Sequence, residues 1–305
     1  MTDAALAEVD AIRTRVLDAL EYEDRRPLRP RRTLTRLLAM PDDVKRDPAH
    51  MEACVLICAA GRLRPYMARC LLGRMSRAAQ TGRMSETRLD ALRSVLLAEI
   101  GSPTIPFHGY GSKPFGTLGP NETQAAFEAI HAALAPVRAL APAALFANSG
   151  TLLGIVREGR LLPHDDDFDF GVLMRASTML EAAQEWALYQ SLLCEDAGFE
   201  RVGGPRLTIQ GRASDGRSVD LFPAWIENGS LSVYPYAHGS LDAAAILPTR
   251  RCDVSGFDLP AEAERVLAAN FGANWMKPEV DFIFPWKQAN RLFAPFAEEV
   301  ARHAA

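Results

Sequence analysis

Apolar positions in the first hundred residues recur every three or four places, the period of a helix with one face turned inward. Residues 1–20 carry this spacing in good helix formers such as Ala, Leu and Arg. EYEDRRPLRPRRTLTR interrupts it with two prolines before a second helix. Residues 42–60, 61–79 and 84–99 resume it, the first opened by PDD and the last by a cap in SETR. The pattern predicts an N-terminal helical bundle over 1–105. GSPTIPFHGYGSKPFGTLGPNET, residues 101–123, is rich in Gly and Pro and marks a boundary, read as an ordered linker over 106–123. Its glycines do not match GxxxxGK[ST] and no clear strand precedes them, which argues against a phosphate cradle. Asn121 followed by Gln124 predicts a capping box, and a helix from there to about Leu140.

Beyond Leu140 the period shortens towards two. AALFANSG reads as a short strand ending in a turn, and TLLGIVREG as a short helix that Gly159 ends. FDFGV, RLTIQG, RSVDLFPAW and SLSVY read as strands, with a helix over 176–196 between the first two. Elements mixed in this order predict an α+β domain over 124–305, a mixed sheet with flanking helices.

Charge adds one asymmetry. The 305 residues carry a formal charge of −4, which does not suggest bulk nucleic-acid binding. Residues 1–110 hold 18 Lys or Arg against 14 Asp or Glu, while the remainder holds 16 against 24. The six arginines between 25 and 36 read as a solvated linker and helix face, or as a contact for anionic lipid head groups or an acidic acceptor. The acidic start, MTDAALAEVD, has no basic region typical of a signal peptide, and ACVLICAA is too short to span a bilayer. Cys54 and Cys58, one helical turn apart, read as core packing, with a metal or redox role as the alternative. The expectation is a reduced, cytoplasmic protein, at most peripheral to the inner membrane.

The candidate chemistry lies in LLPHDDDFDFGV. Along a strand side chains alternate, so Phe168, Phe170 and Val172 face the core while Asp167 and Asp169 point together to the other side. Two adjacent carboxylates repel unless one is protonated or a cation lies between them. Oxygen ligands at this spacing suit a hard divalent ion, Mg²⁺ or Mn²⁺. RSVDLFP offers a third: with Val219 and Leu221 inward, Asp220 faces out, and a strand paired beside 168–172 brings three carboxylates together. Such a set can hold one metal, or two about 3.5–4 Å apart, as in phosphoryl-transfer sites. In NSGTLLG, Ser149, Gly150 and Thr151 open a short helix whose N–H groups would favour a phosphate. Either motif alone also reads as an acidic loop or an ordinary turn; their conjunction gives the reading its weight.

At these residues the sequence resembles the LicD/fukutin family of the nucleotidyltransferase-fold superfamily, particularly fukutin-related proteins and bacterial phosphocholine transferases. The likeness lies in NSGTLLGIVREGRLLPHDDDFDFGV, VDLFPAW, and ILPTRRCDVSGFDLP with NFGANWMKP, and covers about 120–290. It implies a nucleotidyltransferase-like sheet and a metal-dependent transferase. Such an enzyme passes a phospho-alcohol from a CDP-activated donor to a sugar hydroxyl of a glycan or lipid-linked acceptor, and releases CMP. Asp167 and Asp169 would then be the metal pair, Asp220 a third ligand or the base, and Ser149 and Gly150 would face the donor phosphate. His164 stands where an aromatic such as Trp is common, and Asp165 and Asp166 have no assigned role. Only Cys194 and Cys252 lie beyond residue 70, so the zinc loop of fukutin-related proteins is not expected.

Several cations are further donor candidates. Arg157 reads equally as a donor-phosphate contact or a salt bridge to Asp165 or Asp166. Arg250, Arg251 and Lys277 read as donor contacts or as surface charge. His164 and Trp275 read first as structural. No nucleic-acid partner is expected. The rival readings are a nucleotidyltransferase acting from ATP or CTP and a non-catalytic binding protein.

Overall fold

Proline and aspartate punctuation sets the helices of the first part of the chain. A computed structural model describes residues 2–303 apart from 107, 204 and 280. The chain divides into two compact units, Met1–Pro114 with Glu279–Ile283, and Phe115–Pro278 with Phe284–Ala305.

The first unit holds α1 (Thr2–Glu21), α2 (Pro30–Leu38), α3 (Asp42–Lys45), α4 (Pro48–Ala60), α5 (Pro65–Gln80) and α6 (Glu86–Ile100). Proline opens α2, α4 and α5, where its missing N–H would have been unpaired anyway. The helix expected over 42–60 is therefore two: Asp47 accepts the Ala49 N–H at 2.7 Å and Pro48 starts a new helix. Ser85 occupies the N-cap of α6 but makes no side-chain cap bond.

α4 is buried all round, Ala49 to Ala60, which makes it the axis of the bundle. Cys54 and Cys58 are part of that core; burial pushes both thiols up to about 12, so they remain protonated and pack as small apolar groups. Glu52, the charge on this axis, is held by the Nε atoms of Arg13 and Arg88, each at 2.6 Å. Late in the chain, Glu279–Ile283 joins this unit. There Asp281 accepts from Arg93 at 2.6 Å and from the Thr104 hydroxyl at 2.7 Å, and Ile283 packs so closely on Gly73 that a Cβ would stand 2.4 Å from its Cδ1.

The second unit begins with α7 (Pro120–Ala133) and α8 (Ala135–Ala139). Its cap lies earlier than Asn121 and Gln124: the Gly119 N–H donates to Glu122 Oε2 at 2.8 Å, with Pro120 at the first helical position. Then come β1 (Ala144–Ala147), α9 (Ser149–Leu153), a wider turn over Gly154–Glu158 that Gly159 closes at φ +65°, β2 (Asp167–Leu173) and α10 (Met179–Asp196). β3 (Glu200–Val202), β4 (Thr208–Arg212), β5 (Ser218–Glu227), β6 (Ser230–Val233) and β7 (Ala237–Asp242) follow, with a small ribbon of β8 (Arg250–Arg251) and β9 (Asp258–Leu259). α11 (Ala263–Phe271), α12 (Trp286–Leu292) and α13 (Ala294–His303) complete it.

The main sheet runs β1-β2-β5-β4-β3, with β6 on the second half of β5 and β7 on β6. β2 and β5 are parallel and the other pairs antiparallel, so the sheet is mixed and the architecture is α+β, as the element order predicts. On one face of β2, Phe168 and Phe170 meet Phe115, Phe127 and Phe257 in edge-on contacts with centroids 4.9–6.3 Å apart. On the other face the alternation gives Asp167, Asp169 and Gly171. Phe146 of β1 lies opposite Gly171, and its ring fills the space a third side chain would take: a Cβ there would stand 2.2 Å from Cζ. The acidic row thus ends against an aromatic ring. Phe146 is fully buried and cannot swing away. Gly171→Ala is expected to cost about 1–3 kcal/mol by overpacking, read from urea unfolding. An unchanged midpoint would mean that the ring does not lie over this position.

Candidate active site

Strand register builds the site. In the parallel β2–β5 pair Asp169 is directly opposite Asp220, and Asp167 is opposite Ser218. Directly opposed residues share a face, so all three aspartates project from the same side of the sheet. Each offers one carboxylate oxygen, and these oxygens lie within 4.8 Å of one another. Asp167, Asp169 and Asp220 are only 6–8% exposed. Burial, then the neighbouring aspartate charges, pushes the Asp167 and Asp169 carboxyls well above the ordinary carboxylate range. Three such groups beside one another are what a divalent cation relieves, and oxygen donors in this number suit a hard ion.

The 148–151 turn grips Asp169. Its Oδ2 accepts the Gly150 N–H, its main-chain N–H donates to Thr151 Oγ1, and its carbonyl accepts the Asn148 N–H, each at 2.9 Å. At Gly150 the N–H that the sequence reading left open for an anion is thus donated to a carboxylate. Ser149 sits at φ +39°, and its Oγ accepts from Asn270 Nδ2 at 3.2 Å. Gly150 has a separate steric reason: a Cβ would stand 2.3 Å from Asp165 Oδ2 and 3.3 Å from Asp169 Oδ2. Asp165 therefore belongs to the cluster. Its side chain hydrogen-bonds Asp167, its charge is one of those raising Asp169, and its carbonyl accepts the Phe115 N–H at 2.8 Å.

Four polar residues around the carboxylates have no role in the sequence reading, although Asn148 and Asn270 open two of the family-like stretches. Gln210 lies opposite Asp220 on β4, and its Nε2 donates to Asp220 Oδ1 at 2.8 Å. Asn148 occupies the N-cap of α9, where Asn is common, but makes no cap bond; its Oδ1 accepts the Tyr236 hydroxyl at 2.7 Å. Fully buried Asn148 leaves its Nδ2 with no hydrogen-bond partner among the described residues. The hydroxyl of Tyr236 is pushed up by burial and then by the Asp169 charge, which keeps it a donor. Asn270, the fourth, comes from α11, more than a hundred residues away in sequence. The signals available in advance were the N-cap preference of Asn148 and the places of Asn148 and Asn270 at the heads of two family-like stretches.

The candidate cations are placed differently. The Arg157 side chain is 7% exposed and bonded to Glu158 Oε1 at 2.9 Å and to the Trp275 carbonyl at 3.1 Å, so of its two readings the salt bridge to Asp165 or Asp166 does not form. The Trp275 side chain packs half-buried against the core. Arg250 and Arg251 are exposed on β8, with Arg251 3.7 Å from Asp258. Lys277 is exposed and His164 half-buried.

Residues 143–263 match the family model described as LicD/FKTN/FKRP, nucleotidyltransferase domain. That span contains β1, the 148–151 turn, the acidic strand and Asp220. The chain carries a LicD-family domain. It is the domain of a transferase-type enzyme family, and the carboxylate cluster lies wholly inside it. No curated protein sequence matches the chain.

In metal-free protein the raised carboxyls of the LicD domain have a sign that can be tested. Groups whose folded pKa exceeds the unfolded value of about 3.9 stabilise the fold below that value and lose their contribution as pH rises through the folded pKa. Asp220→Asn removes one charge from the cluster while leaving an oxygen for Gln210. Without divalent ions the variant is expected to melt roughly 2–4 °C above the parent in alkaline solution, with the gap closing as pH falls towards the unfolded value. A parent as stable as the variant at every pH would show that the carboxylates do not repel.

Proposed function

We propose that this protein is a metal-dependent phosphotransferase of the LicD type. It moves a phospho-alcohol, of the phosphocholine or polyol-phosphate kind, from a CDP-activated donor to a sugar hydroxyl of a glycan or lipid-linked acceptor. The observation that carries the reading is the convergence of Asp167, Asp169 and Asp220 on two adjacent parallel strands, inside a LicD-family domain.

The donor set fits a hard divalent ion, Mg²⁺ or Mn²⁺, held by Asp167, Asp169 and Asp220. Such an ion supplies charge neutralisation and orientation to a diphosphate. The chain's part is positioning. Gly150 and Thr151 fix the Asp169 carboxylate and backbone, Gln210 fixes one oxygen of Asp220, and Asp165 braces Asp167. The acceptor oxygen attacks the phosphorus bearing the alcohol, the bond to the CMP oxygen breaks, and CMP leaves. The hydroxyl gives up its proton as the new bond forms, and Asp220, the third carboxylate of the set, is the group assigned to accept it. The turn at Ser149, Gly150 and Thr151 donates its Gly150 N–H to Asp169, so its share in donor-phosphate binding is assigned through the carboxylate it holds and not through an open N–H cradle. Arg250, Arg251 and Lys277 stay with the donor on their charge and exposure alone; Arg157, bonded to Glu158 and Trp275, is assigned a structural role.

The test is CMP release from a panel of CDP-alcohols with Mg²⁺ and a glycan acceptor. Parent protein is expected to release CMP, EDTA to stop it, and Asp169→Asn to lower it by at least about 10³-fold with the fold unchanged. Gly150→Ala, which crowds Asp165, is expected to lower it less. Full activity in Asp169→Asn would remove the assignment, and pyrophosphate release from ATP or CTP would mark nucleotidyl transfer instead.

A further inference from the structure

The arginine-rich stretch after α1 has no part in the transferase reading, and the fold of the first unit concentrates it. Pro30, at the start of α2, abuts Gly61, at the end of α4, so closely that a Cβ on Gly61 would stand 2.4 Å from Pro30 Cβ. Arg29 and Arg31 flank one side of that contact, Arg62 and Arg64 the other. Arg25 and Arg62 converge on the same residue, Glu99: Arg25 reaches its carboxylate at 2.7 Å and Arg62 its carbonyl at 3.1 Å. Two arginine-bearing turns far apart in sequence thus share one surface.

Ion pairing sorts these side chains. Arg26 is bound by Asp24, Arg36 by Glu8 and Arg25 by Glu99. Arg29, Arg31, Arg32 and Arg64 are exposed and form no ion pair among the described residues. α2 buries Leu34 and Leu37 and turns Arg31, Arg32, Thr35 and Arg36 outward, so its outer face is cationic. Large apolar side chains flank the arginines: Tyr22 is 74% exposed, Tyr66 65% and Leu38 38%.

We propose that this surface of the first unit docks on an anionic lipid bilayer. The inference is independent of the transferase reading. Guanidinium groups pair with phosphate oxygens, and clusters of four or more basic residues on an amphipathic helix suit anionic head groups. Tyrosine settles at the level of those head groups, and an exposed leucine gains there what a nucleic-acid backbone cannot offer it. The net charge of the whole chain is −4, so attraction to an anionic surface must come from this local patch and not from bulk charge. The attachment is peripheral, since among the described residues no helix is long and apolar enough to cross a membrane.

The full chain is tested by co-sedimentation with vesicles of phosphatidylcholine containing roughly a third phosphatidylglycerol, and with phosphatidylcholine alone. Binding is expected to the first and not the second, and to be largely lost at about 0.5 M salt. Replacing Arg29, Arg31, Arg32 and Arg64 by Gln is expected to weaken it at least about tenfold with an unchanged melting temperature. Arg74→Gln with Arg77→Gln, also exposed but on α5, is expected to leave it intact. Tyr22→Ser with Tyr66→Ser is expected to weaken the binding that survives salt. No binding by the parent, equal binding by the fourfold Gln variant, or preference for a short nucleic-acid duplex over the anionic vesicles would each overturn the proposal.

Discussion

The parallel pairing of β2 with β5 sets Asp169 beside Asp220 in a place almost closed to solvent, and the rest of the second unit is arranged around that juxtaposition. Two unit charges about 4 Å apart repel by on the order of 4 kcal/mol at an effective dielectric near 20. Three mutually close carboxylates approach the net stability of a typical domain, roughly 5–15 kcal/mol. Such a cluster persists because proton uptake relieves it in the metal-free state and a cation can relieve it otherwise. The scaffold meets the remaining strain from both sides. Below the sheet, Phe168 and Phe170 are locked among Phe115, Phe127 and Phe257. Above it, the 148–151 turn and Gln210 hold the carboxylates by hydrogen bonds.

Two glycines mark the limits of the cluster. Gly150 lets Asp165 close over the turn, and Gly171 lets the Phe146 ring cover the end of the acidic row. Between them the polar face of β2 is confined to Asp167 and Asp169. The confinement concentrates charge at one point of the sheet, which is what a positioning-and-neutralising chemistry such as phosphoryl transfer requires.

Much of this was legible in advance. Alternation alone placed Phe168, Phe170 and Val172 inward, set Asp167 and Asp169 on the opposite face, and offered Asp220 as their partner, because strand periodicity is local. The helix after Asn148 and its end at Gly159 could also be read from local signals. What stayed hidden depends on register or on distant chain. Gln210 matters only because β4 pairs with β5 at Asp220; Tyr236 reaches Asn148 from outside every quoted motif, and Asn270, at the head of NFGANWMKP, meets Ser149 only through the fold. Asp165 lies in the quoted stretch, yet its place in the cluster depends on the missing Cβ of Gly150. For Arg157 the sequence admits two readings of equal weight, a donor-phosphate contact and a salt bridge to Asp165 or Asp166; the second does not form, because the wider turn over Gly154–Glu158 carries the side chain to Glu158 and the Trp275 carbonyl. The break between α3 and α4 followed from Pro48, a signal present in the sequence but outweighed by the continuous helical period around it.

The central claim is that these carboxylates share one cation. Mn²⁺ bound by the purified protein can be counted from the loss of the free-ion electron paramagnetic resonance signal, without any substrate. The account predicts saturable binding by the parent, displaced by excess Mg²⁺, and its loss when Asp167 and Asp220 are both changed to Asn. Undiminished Mn²⁺ binding by that doubly substituted protein, folded and intact, would contradict it.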